Sequence, residues 1–248
     1  MFSHETAAAI HGWALYRPSR DRVHTIVSTP RPGAAGGVIR HRGSLGDGDV
    51  VEINGLLVTS PARTVADVAR TATFEQAVTI ADAALRSLFW RGPDRYRAEL
   101  AEEFRESVLT TARLSAHGVS RARRVLGFAD GRAQLPGESI SRIRLRALGF
   151  HDIRLQVAVP APAGRTFYVD FGLEDIAAFG EFDGAVKYAD ARFLGDRNPA
   201  RVLDEEKQRE DWIRGTTQRR FARWSWRDVE TAATLGARLA AFGIRPPH

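Results

Sequence analysis

Three carboxylates lie within fourteen residues of one another in a stretch that is otherwise mostly apolar: Asp170, Glu181 and Asp183. Two short apolar runs flank the polar pair Glu174-Asp175 between them, which predicts a tight β-hairpin with that pair as its loop. Because side chains alternate along a strand, the three carboxylates are predicted on one face of this hairpin. The other face is predicted to carry Phe167, Val169, Phe171, Ile176, Ala178 and Phe182.

The predicted loop also sets a register. With Glu174 and Asp175 as the loop, Leu173 pairs with Ile176, and Asp170 becomes a diagonal neighbour of Glu181, about 7 Å away. That distance lets both carboxylates reach one shared cation.

The chemistry that this arrangement predicts is metal binding. Three carboxylates on one face repel one another unless a positive charge lies between them, and Mg²⁺ or Mn²⁺ prefers oxygen ligands. The alternative is a set of solvated carboxylates on an exposed sheet face, and spacing alone does not decide between the two.

Composition excludes several other classes of site. The 248 residues include no cysteine, which excludes disulfides, a thiolate metal site and a thiol nucleophile. No apolar run is long enough to span a bilayer, and the first residues lack the basic and apolar regions of a secretory signal. We therefore expect a cytoplasmic protein that does not contact a membrane.

The net charge of +6 is uneven along the chain. Residues 1–115 hold 14 basic and 13 acidic side chains, whereas residues 116–248 hold 22 and 17. A polyanionic partner is therefore expected on the second half. The two lysines of the chain, Lys187 and Lys207, both follow the hairpin, and lysine, unlike arginine, can release a proton near neutral pH.

Capping residues, glycines and apolar periodicity predict an α/β protein with two domains, 1–115 and 116–248. Predicted helices cover about 3–12, 61–70, 73–88, 93–116, 136–149 and 199–214, and predicted strands cover 23–28, 38–40, 50–53, 56–59, 153–159 and 220–226. His4 and His11 lie about two turns apart on the first helix, but no third ligand is close to them in sequence.

The second half resembles the PD-(D/E)xK nuclease fold shared by type II restriction enzymes. Its elements follow the order helix with Glu138, strand, strand with Asp170, strand with Glu181, helix, strand. The segments Pro-Gly-Glu-Ser, Val-Asp-Phe and Glu-Phe-Asp-Gly, with Gln156 between the first two, are similar to an uncharacterised family related to very-short-patch-repair endonucleases.

The resemblance implies a restriction-endonuclease-like αβββαβ domain with a mixed central sheet. It implies that Asp170 and Glu181 bind Mg²⁺ or Mn²⁺ and that Glu138 assists. The implied activity is that of a Mg-dependent DNA endonuclease or nickase in phage defence or DNA repair.

One position departs from the family pattern, which has a lysine two residues after the second acid, where this chain has Asp183. Lys187 or Lys207 could supply the missing ammonium, or the site could bind metal and nucleic acid without efficient cleavage. Because Asp183 lies on the face of Glu181, we expect it to be a third metal ligand.

Five arginines are candidates for sequence-independent contacts with backbone phosphates. They are Arg121, Arg123, Arg124, Arg142 and Arg144.

The first half is similar to the AbiEi-type antitoxin domain of abortive-infection systems. The resemblance rests on Ser-His-Glu-Thr-Ala-Ala-Ala-Ile-His-Gly and on Leu-Leu-Val-Thr-Ser-Pro-Ala-Arg-Thr-Val-Ala-Asp-Val-Ala. Members usually begin with a winged helix-turn-helix, and we expect this chain to start after the place where that module would lie. An α+β first domain is implied. The alternative function is that of a catalytically weak or inactive, nucleic-acid-binding, antitoxin-like regulatory protein.

Overall fold

Helices and mixed β-sheets make up the protein, as a computed structural model shows, and the predicted α/β class is confirmed. The structure describes residues 1–19, 21–27, 33–184 and 199–247, with the backbone alone for 33–35 and 199–203. In these ranges no helix combines the length and the apolar character needed to cross a bilayer.

The chain divides into two units, Met1–Ser139 and Ile140–His248. The elements of the first unit are α1 (His4–Ile10), β1 (Val23–Val27), β2 (Gly33–Ala35), β3 (Val38–Arg42), β4 (Val50–Ile53), β5 (Leu56–Thr59), α2 (Pro61–Thr71), α3 (Phe74–Phe89), α4 (Ala98–Arg113) and α5 (Val119–Phe128). Helix α6 (Pro136–Leu148) crosses the boundary, and β6 (Ile153–Pro160), β7 (Thr166–Leu173), β8 (Ala178–Phe182), α7 (Pro199–Thr217), β9 (Arg220–Trp224) and α8 (Ala232–Ala240) follow.

The division falls after Ser139 and not after residue 115 because α5 packs with the helices that precede it. Gly118 has a φ of 83°, and a Cβ there would come within 2.6 Å of the Arg70 carbonyl oxygen. The Arg70 guanidinium in turn donates to the His117 carbonyl oxygen and to Ser115 Oγ. A glycine at the start of α5 therefore permits a close approach to α2.

A parallel and an antiparallel pairing build the small sheet of the first unit. Strand β3 pairs in parallel with β1 and antiparallel with β2, while β4 and β5 form a hairpin. Phe2 makes single β-bridges to Thr25 and to Val58, so the N-terminal residues lie against both β1 and β5.

The second unit has the predicted element order α-β-β-β-α-β, formed by α6, β6, β7, β8, α7 and β9. Its four strands lie in the order β6-β7-β8-β9, with the first two pairings antiparallel and the last parallel. The sheet is therefore mixed, as expected.

Both faces of this sheet are covered. On one face Ile213 of α7 packs with Phe179 and Phe221. On the other, Ser141 of α6 accepts a 2.8 Å hydrogen bond from Trp224 Nε1. All five residues of β8 are buried, which explains why this strand is apolar apart from its single glutamate.

Candidate metal-binding site on the central sheet

The connection between β7 and β8 is longer than the predicted two-residue loop. A 3₁₀ turn covers Glu174–Ile176, and Ala177 follows with a φ of 47°, so Leu173 pairs with Ala178 and not with Ile176. The predicted register was therefore wrong by two residues. An even shift keeps Phe171 on its predicted face, beside Trp224. Val169 and Phe167 were also predicted on that face, but they pack with Phe179 and Phe221 on the opposite one, so the alternation breaks at Asp170.

Distant partners hold this longer turn. Arg219 Nη1 and Nη2 donate to the two oxygens of Glu174, at 2.9 and 2.8 Å. The Asp175 carboxylate accepts from the backbone N–H groups of His151 and Asp152. These charged hydrogen bonds hold both residues of the predicted loop in place.

The corrected register sets four polar residues in one row across the sheet, one on each strand. On β7 and β8, Phe171 pairs with Gly180, and Asp170 and Glu181 are the next residues beyond this pair on the two strands. Glu181 pairs with Arg223 of β9. Gln156 of β6 occupies the position opposite Asp170, between two regular pairs.

Asp170 bridges its two neighbouring strands. Its Oδ2 accepts a 3.0 Å hydrogen bond from the Phe182 backbone N–H, and its Oδ1 lies 3.4 Å from the donor Gln156 Nε2. Gln156 has a φ of 52° in the middle of a strand, which is an uncommon conformation for a residue other than glycine. Backbone strain of this kind is concentrated at functional sites.

Glu181 is buried, with 9% of its surface exposed, and is paired with two arginines. Its Oε1 accepts from Arg209 Nη2 at 2.6 Å, and its Oε2 lies 3.1 Å from Arg223 Nη2. Burial raises the pKa of Glu181; the hydrogen bond and charge of Arg209 lower it, while the charge of Asp170 raises it further.

The two arginines belong to a larger charge network that sequence reasoning missed. Arg209 Nη1 donates to Glu206 Oε1 at 3.0 Å, Arg223 Nη2 contacts the same oxygen, and Arg223 Nε lies 3.1 Å from Glu210 Oε2. The spacing of Glu206, Arg209 and Glu210 places them on neighbouring turns of α7, and this was the signal that could have found them.

Asp183 follows the last residue of β8 and is half-buried. Its backbone N–H donates to the Trp224 carbonyl oxygen at 2.7 Å, which extends the β8–β9 pairing by one step. The spacing of two residues from Glu181 is consistent with the same face of the strand. Its role as a third ligand stays a prediction.

The other predicted catalytic residues are two lysines and the first glutamate. Lys207 is exposed on α7, and Lys187 lies outside the described residues. Glu138 belongs to the first unit, is 3% exposed, and accepts a 2.8 Å hydrogen bond from the Gln134 backbone N–H at the start of α6. Its assisting role stays a prediction.

Among the candidate phosphate-binding arginines, Arg142 is 6% exposed, and Arg144 Nε donates to the Val229 carbonyl oxygen at 3.2 Å. Burial removes the support for a phosphate contact by Arg142. Arg121, Arg123 and Arg124 are exposed on α5, although Arg124 lies over the Phe74 ring at 4.5 Å.

An open groove of about 670 Å³ lies beside Arg209 in the second unit. Arg165, Phe167 and Trp212 line it together with the acidic Glu205 and Glu206. Trp212 is 40% exposed, and its Nε1 donates to the Pro160 carbonyl oxygen. An aromatic surface and the Arg165 guanidinium group therefore lie beside Arg209, the residue that holds Glu181.

Comparison with known proteins finds two uncharacterised relatives. No protein-family model and no solved structure matches the chain. It is 31% identical over 154 residues to two uncharacterised proteins of Mycobacterium tuberculosis, MT2308 of strain CDC 1551 / Oshkosh and Rv2248 of strain ATCC 25618 / H37Rv. The aligned segment covers 62% of this chain and 53% of each relative, so the chain spans about half the length of the curated relatives it matches.

Proposed function

We propose that this protein is a divalent-metal-dependent endonuclease or nickase that acts on duplex DNA. The observation that supports it is the row Gln156–Asp170–Glu181–Arg223, which brings two carboxylates close together on neighbouring strands of the sheet. The net charge of +6 supports a polyanionic substrate. Because the proposed substrate is DNA, the proposed site of action is the cytoplasm.

The donor atoms of the row suit a hard divalent cation. Asp170 and Glu181 would hold Mg²⁺ or Mn²⁺ through carboxylate oxygens, and Asp183 would add a third carboxylate. When bound, the ion would stabilise the negative charge that develops on the phosphate. It would also lower the pKa of a bound water molecule.

The remaining residues of the site would position the reactants. In hydrolysis the water oxygen forms a new P–O bond, one P–O ester bond breaks, and the departing oxygen takes a proton from solvent. Arg209 and Arg223 are always charged, so they would orient the phosphate and offset its negative charge without transferring a proton. This assigns to arginines the charge that Lys187 or Lys207 was expected to supply.

The open groove provides a place for the DNA backbone next to this row. Arg165 and Arg209 can donate to phosphate oxygens, and the exposed part of the Trp212 ring offers a flat apolar contact. Glu205 and Glu206 would restrict how closely a phosphate approaches. Binding in this groove is therefore expected to depend on orientation and on salt.

A specific observation favours the alternative of a regulatory nucleic-acid-binding protein that does not cleave. Both oxygens of Glu181 are already within ion-pair distance of arginines, so the positive charge that the carboxylates require is present without a metal ion. In that case the row only stabilises the sheet, and the exposed arginines Arg121, Arg123 and Arg124 bind nucleic acid.

Nicking of supercoiled plasmid in Mg²⁺ or Mn²⁺ distinguishes the two. The endonuclease proposal predicts nicking by the parent protein, loss of nicking in Asp170→Asn, and unchanged nicking in the control Asp211→Asn, which alters an exposed carboxylate of α7. DNA binding without nicking by the parent, or equal nicking by Asp170→Asn, would reject it.

Asp183 supplies a second comparison. If it is a ligand, Asp183→Asn lowers nicking and Asp183→Lys lowers it further, because an added positive charge competes with the ion. Faster nicking by Asp183→Lys than by the parent would show that the native site is a degenerate one, and the regulatory function would be favoured.

A further inference from the structure

Three of the seven histidines converge in the first unit, far along the chain from the carboxylate row. They are His4 at the start of α1, His24 on β1 and His41 on β3. One ring nitrogen from each lies within 4.8 Å of the others. Among the residues that the structure describes, this is the one such group of histidine, aspartate or glutamate donors.

Backbone pairing brings the three together. In the parallel register of β1 and β3, Ile26 pairs with His41, and His24, two residues before Ile26, lies on the same face as that pair. The Ser3 backbone N–H donates to the His24 carbonyl oxygen at 3.0 Å, which holds His4 beside both strands.

The ring contacts are those of neutral imidazoles. His24 Nδ1 and His41 Nε2 are 2.9 Å apart, and the His4 and His41 rings stack with centroids separated by 3.5 Å. Burial lowers the pKa of His4 well below its usual value and, together with the nearby His24, lowers that of His41 to about 4. Neutral imidazole is also the form that binds a metal ion.

His4 is held in a strained and oriented state. It is 6% exposed and has a φ of 50°, which is a strained conformation for a residue with a side chain. Its Nδ1 shares a 3.0 Å hydrogen bond with Ser3 Oγ. Since Nδ1 is engaged, Nε2 is the nitrogen left for the cluster, which is how an outer hydrogen bond selects the ligand atom in metal sites.

Positive charge close to the histidines is balanced. Arg63 and Arg70 both act on His4 through their charges. Arg63 forms ion pairs with Asp49 and Asp67 at 3.0 and 2.9 Å, and Arg70 pairs with Asp67 at 3.2 Å. Two carboxylates therefore compensate two guanidinium groups, and the cluster does not face a net repulsive field from them.

We propose that His4, His24 and His41 form a binding site for one transition-metal ion such as Zn²⁺, independent of the carboxylate row. Zinc binds imidazole nitrogens at about 2.0–2.1 Å in tetrahedral geometry, so its ligand nitrogens lie about 3.3 Å apart. The observed spacings, from 2.9 Å between His24 and His41 up to 4.8 Å, bracket that value.

Binding requires two local changes. The stacked His4 and His41 rings tilt until their lone pairs converge. The proton now shared by His24 Nδ1 and His41 Nε2 moves through solvent to the other nitrogen of its ring, so both facing nitrogens become acceptors. Three protein ligands leave a fourth position for water or another group, as in zinc sites that perform chemistry.

The test uses the full chain without an affinity tag and Co²⁺ as a spectroscopic substitute for Zn²⁺. We expect one Co²⁺ per chain with the visible absorption of a four-coordinate ion, displaced by one equivalent of Zn²⁺. His41→Gln should weaken the affinity at least about 100-fold, whereas His117→Gln, which alters an exposed histidine, should leave it unchanged.

Two further measurements make the result decisive. Far-UV circular dichroism of His41→Gln establishes that the variant is folded, and His24→Gln provides a second variant on a different strand. Asp170→Asn should bind Co²⁺ as the parent does. Absence of a tetrahedral Co²⁺ spectrum in the parent, or equal binding by His41→Gln and the parent, would overturn the proposal.

Discussion

Glu181 Oε1 and Arg209 Nη2 are 2.6 Å apart, in a part of the second unit where the side chains of the two residues are 12% and 18% exposed. The pair joins β8 to α7, and Arg209 Nη2 also donates to the Tyr168 carbonyl oxygen on β7. A single guanidinium group therefore connects a helix to two strands of the sheet.

The first prediction concerns this pair. Replacing Arg209 with glutamine removes one of the two cations that balance a buried carboxylate, so the free energy of unfolding should fall by about 2 kcal/mol. Urea unfolding at pH 7 measures it. The exposed Arg227→Gln serves as the control, and a loss at Arg209 no larger than at Arg227 would show that the ion pair does not stabilise the fold.

The second prediction concerns pH and the β7–β8 turn. The hydrogen bonds from Arg219 hold the pKa of Glu174 below its usual value of 4.5. Because the folded protein binds this proton less readily than the unfolded chain, the stabilisation is present above about pH 4.5 and is lost as the pH falls through the folded pKa.

Glu174→Gln should therefore cost about 1 kcal/mol of unfolding free energy at pH 7, and the gap between variant and parent should close as the pH falls below 4.5. Denaturant unfolding across that pH range measures both. Glu102→Gln removes a partner of Arg105 that is 63% exposed and should cost nothing measurable. A gap at Glu174 that is constant with pH would contradict the assignment.

The third prediction separates strain from function at Gln156. Gln156→Gly should raise the free energy of unfolding by about 0.5–1 kcal/mol, because glycine accepts a positive φ without strain, yet it should lower nicking by removing the amide beside Asp170.

Gln218 provides a matched control for this experiment. It also has a positive φ, 55°, and its side chain donates to the Gly215 carbonyl oxygen away from the carboxylates. Gln218→Gly should give a similar gain in stability with no loss of nicking. An equal effect of the two substitutions on nicking would show that Gln156 has no special role.

The sequence allowed the faces of the β7–β8 hairpin to be predicted in part, but not its register or the break in alternation between Val169 and Phe171. Alternation of apolar and charged residues is a local property, and it placed Asp170 and Glu181 on one face. The loop depends on Arg219, 45 residues beyond Glu174, and no local pattern reports that ion pair. The adjacent acidic residues Glu174 and Asp175 therefore predicted a two-residue loop, which is shorter than the turn present.

The sequence spacing could group Arg209 with Glu206 and Glu210 on α7, but it could not predict that Arg209 and Arg223 pair with Glu181. Arg209 and Arg223 come from a helix and a strand whose orientation against β8 depends on the packing of the whole sheet. The histidine cluster is a similar case. His4 was compared with His11, its neighbour on the helix, whereas its partners His24 and His41 are reached only through strand pairing.

The central claim is that Asp170 and Glu181 jointly hold a divalent ion, and calorimetric titration of the full chain with Mg²⁺ tests it most directly. Mg²⁺ is chosen because it prefers oxygen to imidazole, so the histidine cluster does not contribute. We predict one site in the parent and in Asp211→Asn, and its loss in Asp170→Asn. Mg²⁺ binding by Asp170→Asn as tight as in the parent, or no binding by the parent, would contradict the claim.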